Sequence, residues 1–302
     1  MDNKPLRYFD AVARHNSFTK AAEELHIAQP AISMAIKKLE VSFSLQLFHR
    51  EDRKVSLTDE GRIFWQHCLK ILNTVDDANQ AMAELNNLTK GEVRVGIPSM
   101  LGSYYFPATL VAFRKAFPSL TLSVIEAGTW EIQKMLLSGE LDLGVIVVED
   151  TPESLAYHHL LDAEIRVTVS SKHHFASRKS ITPCQFLKEP LVMFKEGYFH
   201  RKVVDAMAQT TNCPPNIVFE TNLIPLIKEV VRQEQAITTL LAMVIKDETN
   251  LHGIPFSPAK WLKLGIAWRK GAYISKANQA FLSFLLASHN QQNTSAETDS
   301  KA

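Results

Sequence analysis

The segment 17–39 constrains the fold more than any other, because its residues predict two short helices joined by a tight turn. Ser17 is a helix-capping residue directly before Phe18, and apolar residues recur at helical spacing over the next two turns. After a break at residues 26–28, Pro30 stands in the first turn of a second helix, where its missing N–H group costs nothing. The sequence therefore predicts a helix-turn-helix.

The second predicted helix has two different faces. Its apolar stripe is predicted to consist of Ile32, Ala35, Ile36 and Leu39. The opposite face carries small and hydrogen-bonding residues, namely Gln29, Pro30, Ser33, Met34, Lys37 and Lys38. Gln pairs with adenine edges, Ser with several bases, and Lys with guanine or phosphate, so this face suits the DNA major groove. The alternative is a small helical domain with a solvated polar face.

A basic β-hairpin is predicted directly after the helix pair, within residues 45–58. Its tip carries Arg50, Arg53 and Lys54, which are suited to contact phosphates beside the base-reading helix. Two helices followed by such a hairpin are typical of a winged helix-turn-helix.

These residues carry a family resemblance. The positions concerned are Ser17-Phe18-Thr19, Ala21-Ala22, Leu25, Gln29-Pro30-Ala31-Ile32-Ser33, Leu39-Glu40, Leu47-Phe48, Arg50, Arg53, Leu57-Thr58 and Gly61. Together they resemble the DNA-binding domain of LysR-type transcriptional regulators. The resemblance covers the chain as far as Gly61 and implies a winged helix-turn-helix that binds double-stranded promoter DNA.

Three residues depart from the pattern that this family shows. Ala28 stands where Ser or Thr is usual, which removes a helix cap worth about 1 kcal/mol. Met34 stands where Arg is frequent, which indicates a base preference of its own. Ser44 stands where Gly or Asn is usual.

A long helix is predicted from Asp59 to Leu88. Its apolar seam alternates steps of four and three residues, through Phe64, Cys68, Ile71, Val75, Ala78, Met82 and Leu85. At about 45 Å this helix is too long to be buried in one small domain, so we expect it to pair with a second copy. The alternative is an amphipathic helix packed on its own chain. The resemblance implies a dimerising linker helix here, with dimers that assemble into a homotetramer.

The rest of the chain alternates predicted strands and helices, which indicates parallel α/β sheets. Strands are predicted at Glu92–Pro98, Leu120–Ala127, Leu141–Val148, Leu191–Phe194, Asn216–Thr221, Ala236–Leu241 and Leu264–Arg269. Helices are predicted at Tyr104–Phe117, Glu131–Leu137, Arg201–Gln209, Leu223–Arg232 and Lys276–Ala287. The predicted fold is thus multidomain α plus α/β. Its parts are a DNA-binding domain at 1–58, a linker helix at 59–90, an effector domain at 91–289 and a disordered tail at 290–302.

Hydroxyl-bearing residues follow several predicted strands, where open α/β sheets bind ligands and free N–H groups favour an anion. Ordinary helix caps are the alternative interpretation. The resemblance implies a two-lobed domain like type 2 periplasmic binding proteins, with lobe I at about 91–163 and 268–289 and lobe II at about 164–267. It puts Ser99, Gly102, Ser103 and Thr129 on the wall of lobe I, and Phe194, Gly197, Tyr198 and Arg201 opposite them. Thr221 ends a third strand of this kind.

Composition excludes several other classes of protein. The 302 residues carry a net charge of only +1, which argues against unspecific coating of nucleic acid. No apolar run is long enough to span a membrane, and no secretory signal is visible. The three cysteines, Cys68, Cys184 and Cys213, suit reduced thiols in a cytoplasm, although Cys184 and Cys213 offer a redox-sensing pair. The pairs His158-His159 and His173-His174 are expected to point apart at the surface, so no metal site is predicted.

These features favour a ligand-responsive regulator of transcription with a small, anionic effector, no cofactor and no catalytic residues. RNA polymerase is an expected partner. The alternative is an α/β binding protein or enzyme whose N-terminal helices only form oligomers. Against an enzyme, the chain has no Gly-x-Ser-x-Gly, Walker or His-Glu-x-x-His motif.

Overall fold

The computed structural model describes residues 3–51, 54–85 and 91–299. The chain forms two compact units, Met1–Asn87 and Leu88–Ala302.

The N-terminal unit is a winged helix-turn-helix, as predicted. Its elements are α1 (Lys4–His15), α2 (Phe18–Leu25), α3 (Gln29–Phe43), the hairpin β1 (Phe48–Glu51) and β2 (Lys54–Leu57), and α4 (Asp59–Leu85). The Ser17 hydroxyl accepts a hydrogen bond from the backbone N–H of Lys20 at 3.3 Å, which confirms the predicted cap of α2. Antiparallel pairing of Phe48 with Leu57 begins the wing.

The core of this unit joins the helices to the wing. The rings of Phe9 and Phe48 lie 5.0 Å apart, and that of Phe64 packs edge-on against Phe9 at 4.8 Å. The buried Thr58 hydroxyl donates to the carbonyl of Gln46 at 2.7 Å and accepts from the N–H of Gly61 at 2.9 Å. These bonds give the Leu57-Thr58-x-x-Gly61 motif its structural role at the start of α4.

The two halves of α4 have different surroundings. Cys68 is fully buried in the core of its own unit, where its thiol donates to the carbonyl of Leu6 at 3.3 Å and burial raises its pKa to about 12. Further along the predicted seam, Ile71 and Met82 are exposed. The alternative of packing on its own chain therefore holds around Cys68, in the first half of α4, and pairing with a second copy stays a prediction. Residues 86–90, over which the helix was expected to end, lie outside the described residues.

The C-terminal unit is built on a mixed sheet of six strands in the order β4-β3-β5-β10-β6-β9. The strands are β3 (Glu92–Ile97), β4 (Thr121–Glu126), β5 (Leu143–Val147), β6 (Leu155–Ser170), β9 (Thr238–Leu241) and β10 (Leu251–Arg269), and a separate pair is formed by β7 (Leu191–Met193) and β8 (Ile217–Glu220). The helices are α5 (Ser99–Tyr104), α6 (Pro107–Ala116), α7 (Thr129–Ser138), α8 (Pro183–Lys188), α9 (Phe199–Thr211), α10 (Ile224–Arg232), α11 (Ala242–Ile245) and α12 (Lys276–Asp299). We call β3–β5 with α5–α7 and α12 the first lobe, and β7–β9 with α8–α11 the second lobe.

The sheet is not purely parallel, contrary to the prediction. The strands β3, β4 and β5 are parallel, but β10 runs antiparallel to both β5 and β6. The long strands β6 and β10 contribute to both lobes. The sequence prediction missed β6 and found only the end of β10, because Pro255 and Pro258 interrupt the latter's pattern. A register shift between Pro255 and Lys260 accommodates these prolines.

Two helices also differ from the prediction. The expected helix Tyr104–Phe117 corresponds to α6, which begins only at Pro107, and the sequence prediction missed the short helix α5 before it. At the other end of the unit, α12 continues to Asp299, beyond residue 290 where a disordered tail was expected. The polar segment after residue 290 contains neither Gly nor Pro, so nothing in it breaks the helix.

Candidate functional site

The outer face of α3 is free of the protein's own core. Ile32 and Ile36 are fully buried, whereas Ala35 and Leu39 are half-buried. On the opposite side Gln29, Pro30, Met34, Lys37 and Lys38 are exposed, and Ser33 is half-buried. Among the predicted DNA contacts, these six lie on one continuous helix. The face is therefore accessible to a nucleic-acid duplex.

Ala28 and Ser44, two of the residues that depart from the family pattern, lie at the two ends of α3. At its N-terminus Ala28 has the extended backbone of a capping residue but no side-chain hydrogen bond. At its C-terminus Ser44 adopts the left-handed backbone conformation, with φ of 55°. This conformation costs free energy for residues other than glycine. The Ser44 N–H donates to the carbonyl of Val41 at 3.2 Å and so ends the helix.

The wing is attached to α3 through Glu40. Its carboxylate accepts hydrogen bonds from the backbone N–H groups of Leu47 and Phe48, at 3.0 and 3.3 Å. Of the predicted phosphate contacts, Arg50 and Lys54 lie on β1 and β2. Arg53 lies outside the described residues. Each strand of the hairpin therefore contains one of these basic residues.

The first two helices are joined by an ionic cluster. The guanidinium of Arg14 donates to the Glu24 carboxylate at 3.1 Å, and the imidazole of His15 contacts the same carboxylate. The hydrogen bond from Arg14 lowers the pKa of Glu24 to about 2. This carboxylate is thus ionised across the physiological pH range and neutralised by its partners, and it holds α1 against α2.

In the C-terminal unit two neighbouring cavities lie between the lobes. The inner cavity has a volume of about 40 Å³ and is mainly apolar; its lining includes Met100, Leu101, Phe194, Leu241, Leu262 and Leu264, with Ser99, Thr129 and His200 as polar groups. The outer cavity has a volume of about 540 Å³ and shares Thr129, Val147, Tyr198 and Phe199 with the inner one. The volume of the outer cavity is within the range of small-molecule sites, whereas the inner cavity has room for only a few atoms of a ligand.

The lobes meet at the mouth of the inner cavity. A Cβ atom added to the buried Gly128, just before α7, would lie 2.7 Å from the carbonyl oxygen of Gly197. Gly197 itself has φ of +86°, a conformation that favours glycine. A second link lies outside the cavities, where the buried ammonium of Lys228 on α10 donates to the Tyr104 hydroxyl on α5 at 2.7 Å. The same ammonium donates to Glu248 at 2.6 Å.

Most of the sequence-predicted effector residues are brought together here. Ser99, Thr129, Phe194, Gly197, Tyr198 and Arg201 line one or both cavities. Gly102 and Ser103 lie further along α5 and are not among the residues that line either cavity. Thr221 is buried, and its hydroxyl accepts a hydrogen bond from the N–H of Leu223 at 3.2 Å, so it serves a turn.

Arg201 has two acidic partners within the protein. Its Nε donates to Asp205 at 3.0 Å, and its Nη1 contacts Glu220. Both carboxylates raise the pKa of Arg201, against the opposing effect of partial burial. The guanidinium is thus charged and already neutralised. An anionic ligand would have to compete with these carboxylates for it.

His200 lies in the inner cavity and was missed in the sequence. Its side chain is buried at the start of α9, with Nδ1 3.2 Å from the Thr239 hydroxyl and the ring 5.2 Å from that of Phe194. Burial lowers its pKa to about 4, so the imidazole is neutral at physiological pH. A histidine between Phe199 and Arg201 gives no pattern that separates a cavity residue from a surface residue.

The cysteines and paired histidines lie away from this lining. Cys184 and Cys213 are free thiols whose Sγ atoms form a hydrogen bond at 2.7 Å. This bond is the main reason why the pKa of Cys213 is raised. Redox sensing by the pair stays a prediction. The rings of His173 and His174 lie only 4.3 Å apart, contrary to the expectation that they point apart, because both belong to a turn.

Comparison with known proteins gives a consistent result for both units. Residues 4–62 match the family model "Bacterial regulatory helix-turn-helix protein, lysR family", and residues 86–290 match the "LysR substrate binding domain". An uncharacterized HTH-type transcriptional regulator of Bacillus subtilis (strain 168), YwbI, is 31% identical over 286 residues, which cover 93% of this chain and 95% of that protein. A probable RuBisCO transcriptional regulator of Phaeodactylum tricornutum is 29% identical, with 91% and 93% covered.

Solved structures share the fold. Full-length OxyR from Pseudomonas aeruginosa superimposes with a TM-score of 0.70 at 24% identity, over 94% of each chain. Full-length BenM gives a TM-score of 0.60 at 24% identity, over 97% and 98% of the two chains. Among the described residues, no helix combines the length and apolar character needed to cross a bilayer.

Proposed function

Because the chain belongs to the LysR family of transcriptional regulators, we propose that the exposed face of α3 reads the bases of its promoter site. The single observation that carries this proposal is the division of α3 between fully buried Ile32 and Ile36 and an exposed face from Gln29 to Lys38. Gln29 is suited to an adenine edge, and Lys37 to guanine or phosphate. Met34 offers an apolar contact to a thymine methyl group in place of an arginine contact to guanine.

The wing supplies contacts that position the protein without reading sequence. Arg50, Arg53 and Lys54 are proposed to bind phosphates beside the groove that α3 enters. The bonds from Leu47 and Phe48 to Glu40 support this role, because they fix the hairpin relative to α3. Loss of a wing cation should therefore weaken binding to every DNA sequence.

The substrate-binding domain takes a small-molecule effector, and we propose that the effector binds between the lobes. One end of the molecule accepts hydrogen bonds from Ser99, Thr129 and the free N–H groups at the start of α7, which has no side-chain cap. A carboxylate fits these donors. The remainder is apolar, because Met100, Phe194, Leu241 and Leu262 line the inner cavity. Arg201 is a weaker candidate for the anion, since Asp205 and Glu220 already neutralise it.

An effector that occupies the inner cavity requires the lobes to separate, because the present volume of about 40 Å³ cannot hold a metabolite. We propose that this movement is passed to the DNA through an oligomer. The exposed Ile71 and Met82 of α4 support pairing with a second copy, within an organisation of DNA-binding domain 1–58, linker helix 59–90 and effector domain 91–289. Two such dimers would form a tetramer on a long site, where effector-dependent bending alters contact with RNA polymerase in the cytoplasm.

Two experiments test the function. A gel-shift assay with DNA upstream of the regulator's own gene is expected to give a specific complex, whereas a random duplex of equal length competes weakly. A thermal-shift screen of small carboxylates should then identify an effector that stabilises the wild-type protein but not Thr129→Val. Specific DNA binding with no effect of a stabilising ligand on either footprint or transcription would contradict the switching mechanism.

A further inference from the structure

A cluster of three side chains of types that can bind metal lies between the turn after β6 and the end of α8, outside the two cavities. His173 and His174 belong to the turn that follows β6, and Glu189 caps the C-terminal end of α8. The turn is held by backbone bonds, from His173 N–H to the Ser170 carbonyl at 3.0 Å and from Ala176 N–H to the His173 carbonyl at 2.8 Å. The backbone therefore fixes the two histidines before any ligand arrives.

The side chains of this cluster converge. The Nε2 atom of His174 lies 3.3 Å from Glu189 Oε1, and that of His173 lies 3.8 Å from Glu189 Oε2. One donor atom from each residue lies within 4.8 Å of the other two. Ligands around a tetrahedral zinc ion at its usual bond lengths are roughly 3.3 Å apart, so movements of about 1 Å bring the three atoms to binding distance.

The residues around the cluster hold its histidine rings in place, as a metal site requires. The buried ring of Phe175 packs against both imidazoles, with centroids 5.1 Å from His173 and 4.3 Å from His174. The His173 side chain is only 16% exposed, so packing restricts its movement. In contrast, the His174 side chain is 60% exposed and can turn towards an ion from solvent.

We propose that His173, His174 and Glu189 bind a divalent transition-metal ion, and that Zn²⁺ fits this donor set best. Two imidazoles and one carboxylate are a common zinc ligand set, with water in the fourth position. Mg²⁺ and Ca²⁺ prefer sites made of oxygen ligands, whereas two of the three ligands here are imidazole nitrogens. The ion would connect the turn after β6 to the end of α8.

One hydrogen bond limits the affinity of the site. The backbone N–H of Phe175 donates to Nδ1 of His173 at 3.2 Å. Metal binding through Nε2 places the ring proton on Nδ1, which then has no lone pair to accept this bond. We therefore expect weaker binding than at a structural zinc site.

The other adjacent pair of histidines serves as an internal control. His158 and His159 lie on β6, so their side chains leave opposite faces of the sheet. The His158 ring packs 5.1 Å from Trp268, and His159 Nε2 lies 2.8 Å from Asp162 Oδ1. This pair has a carboxylate but cannot direct both rings to one ion.

Titration calorimetry of the untagged full-length protein with ZnCl₂ tests the proposal. We expect one ion per chain, no binding of Mg²⁺, and affinity for Zn²⁺ reduced roughly ten-fold or more in His174→Ala and in Glu189→Gln. His159→Ala should bind Zn²⁺ as the wild type does. Co²⁺ should give the visible absorption bands of a tetrahedral site, and these should be lost in both ligand variants.

The alternative outcomes are distinct. Circular dichroism and thermal melting establish that each variant is folded, and Glu189→Gln preserves the size of the side chain while removing its charge and one acceptor oxygen. If Zn²⁺ does not bind, or binds the ligand variants and the wild type equally, the site does not exist. Loss of Zn²⁺ binding only in Cys184→Ser would assign the ion to the thiols and overturn the proposal.

Discussion

The carboxylate of Glu40 accepts a hydrogen bond from the backbone N–H of Leu47, at a distance of 3.0 Å. A second bond, from the N–H of Phe48, is 3.3 Å long. Glu40 lies near the C-terminal end of α3, and Leu47 and Phe48 are buried residues at the start of the wing. This side chain therefore links α3, the helix proposed to read bases, to the wing, which is proposed to bind phosphates.

Replacement of this side chain should destabilise the N-terminal unit. In Glu40→Ala two partly buried backbone N–H groups lose their acceptor, and we expect the free energy of unfolding to fall by about 1–3 kcal/mol. Urea denaturation followed by circular dichroism measures the change. Glu23→Ala, on an exposed position of α2, is the matched control and should change stability little. Equal effects of the two substitutions would show that the bonds from Leu47 and Phe48 are unimportant.

The left-handed residue at the end of α3 offers a stabilising substitution. Ser44 has φ of 55° and an exposed side chain, so Ser44→Gly removes strain without loss of packing. We expect a gain of about 1 kcal/mol in the free energy of unfolding. Ser44→Ala retains the strain and should give no such gain. A similar melting temperature for the two variants would argue against strain at this position.

A methyl group added at Gly128 should disturb the contact between the lobes. Gly128 has φ of −67°, which suits any residue, so the effect of Gly128→Ala is steric. The new Cβ would lie 2.7 Å from the Gly197 carbonyl oxygen, and we expect a loss of about 1–3 kcal/mol in stability. The lobes should also be shifted apart, which a change in the DNase I footprint without effector would report.

Gly102→Ala is the control for this substitution. A Cβ there meets only Ile97 Cγ2, at an ordinary contact distance of 3.6 Å. This variant should have wild-type stability or slightly more, because alanine favours the helix. If Gly128→Ala behaves like Gly102→Ala, the lobes are not in tight contact at Gly128.

The buried His200 predicts how stability depends on pH. Its pKa is lowered to about 4 in the folded chain, whereas in the unfolded chain it has the usual value of 6.5. Between these values the unfolded state binds the proton and the folded state does not, so stability falls as pH decreases from 6.5 towards 4. The contribution of this group is about 3 kcal/mol over that range.

Substitution of His200 isolates this contribution. The decrease in the free energy of unfolding between neutral and mildly acidic pH should be smaller in His200→Gln than in the wild type. Exposed His252 provides the control, since His252→Gln should retain the wild-type dependence. An unchanged pH dependence in His200→Gln would mean that the imidazole is hydrated or already protonated in the folded state.

Local signals account for what the sequence predicts well. The cap at Ser17, the proline in α3 and the basic hairpin are short-range features, and the structure reproduces all three elements. The strands β6 and β10 are long-range structures. Each is stabilised mainly by the other, so His, Asp and Pro residues within them hide a pattern that sheet pairing nevertheless imposes.

The residues that line the two cavities also divide into those that local sequence predicts and those that only the folded sheet brings together. Ser99 and Thr129 follow strands and could be found from that position alone. Leu241 and Leu262 reach the inner cavity only because β9 and β10 are brought together in the folded sheet. The carboxylate partners of Arg201 likewise depend on packing, since Glu220 is on β8 and Arg201 is on α9.

The central claim is that the exposed face of α3 reads base pairs, and Gln29→Ala tests it most directly. Binding is measured by fluorescence anisotropy on the operator and on a random duplex of equal length, with Arg53→Ala as the contrasting variant. We predict that Gln29→Ala loses about 1–3 kcal/mol on the operator and almost nothing on random DNA. Arg53→Ala should weaken both complexes and reduce the salt dependence by about one unit. Equal losses of Gln29→Ala on the two duplexes would contradict the claim.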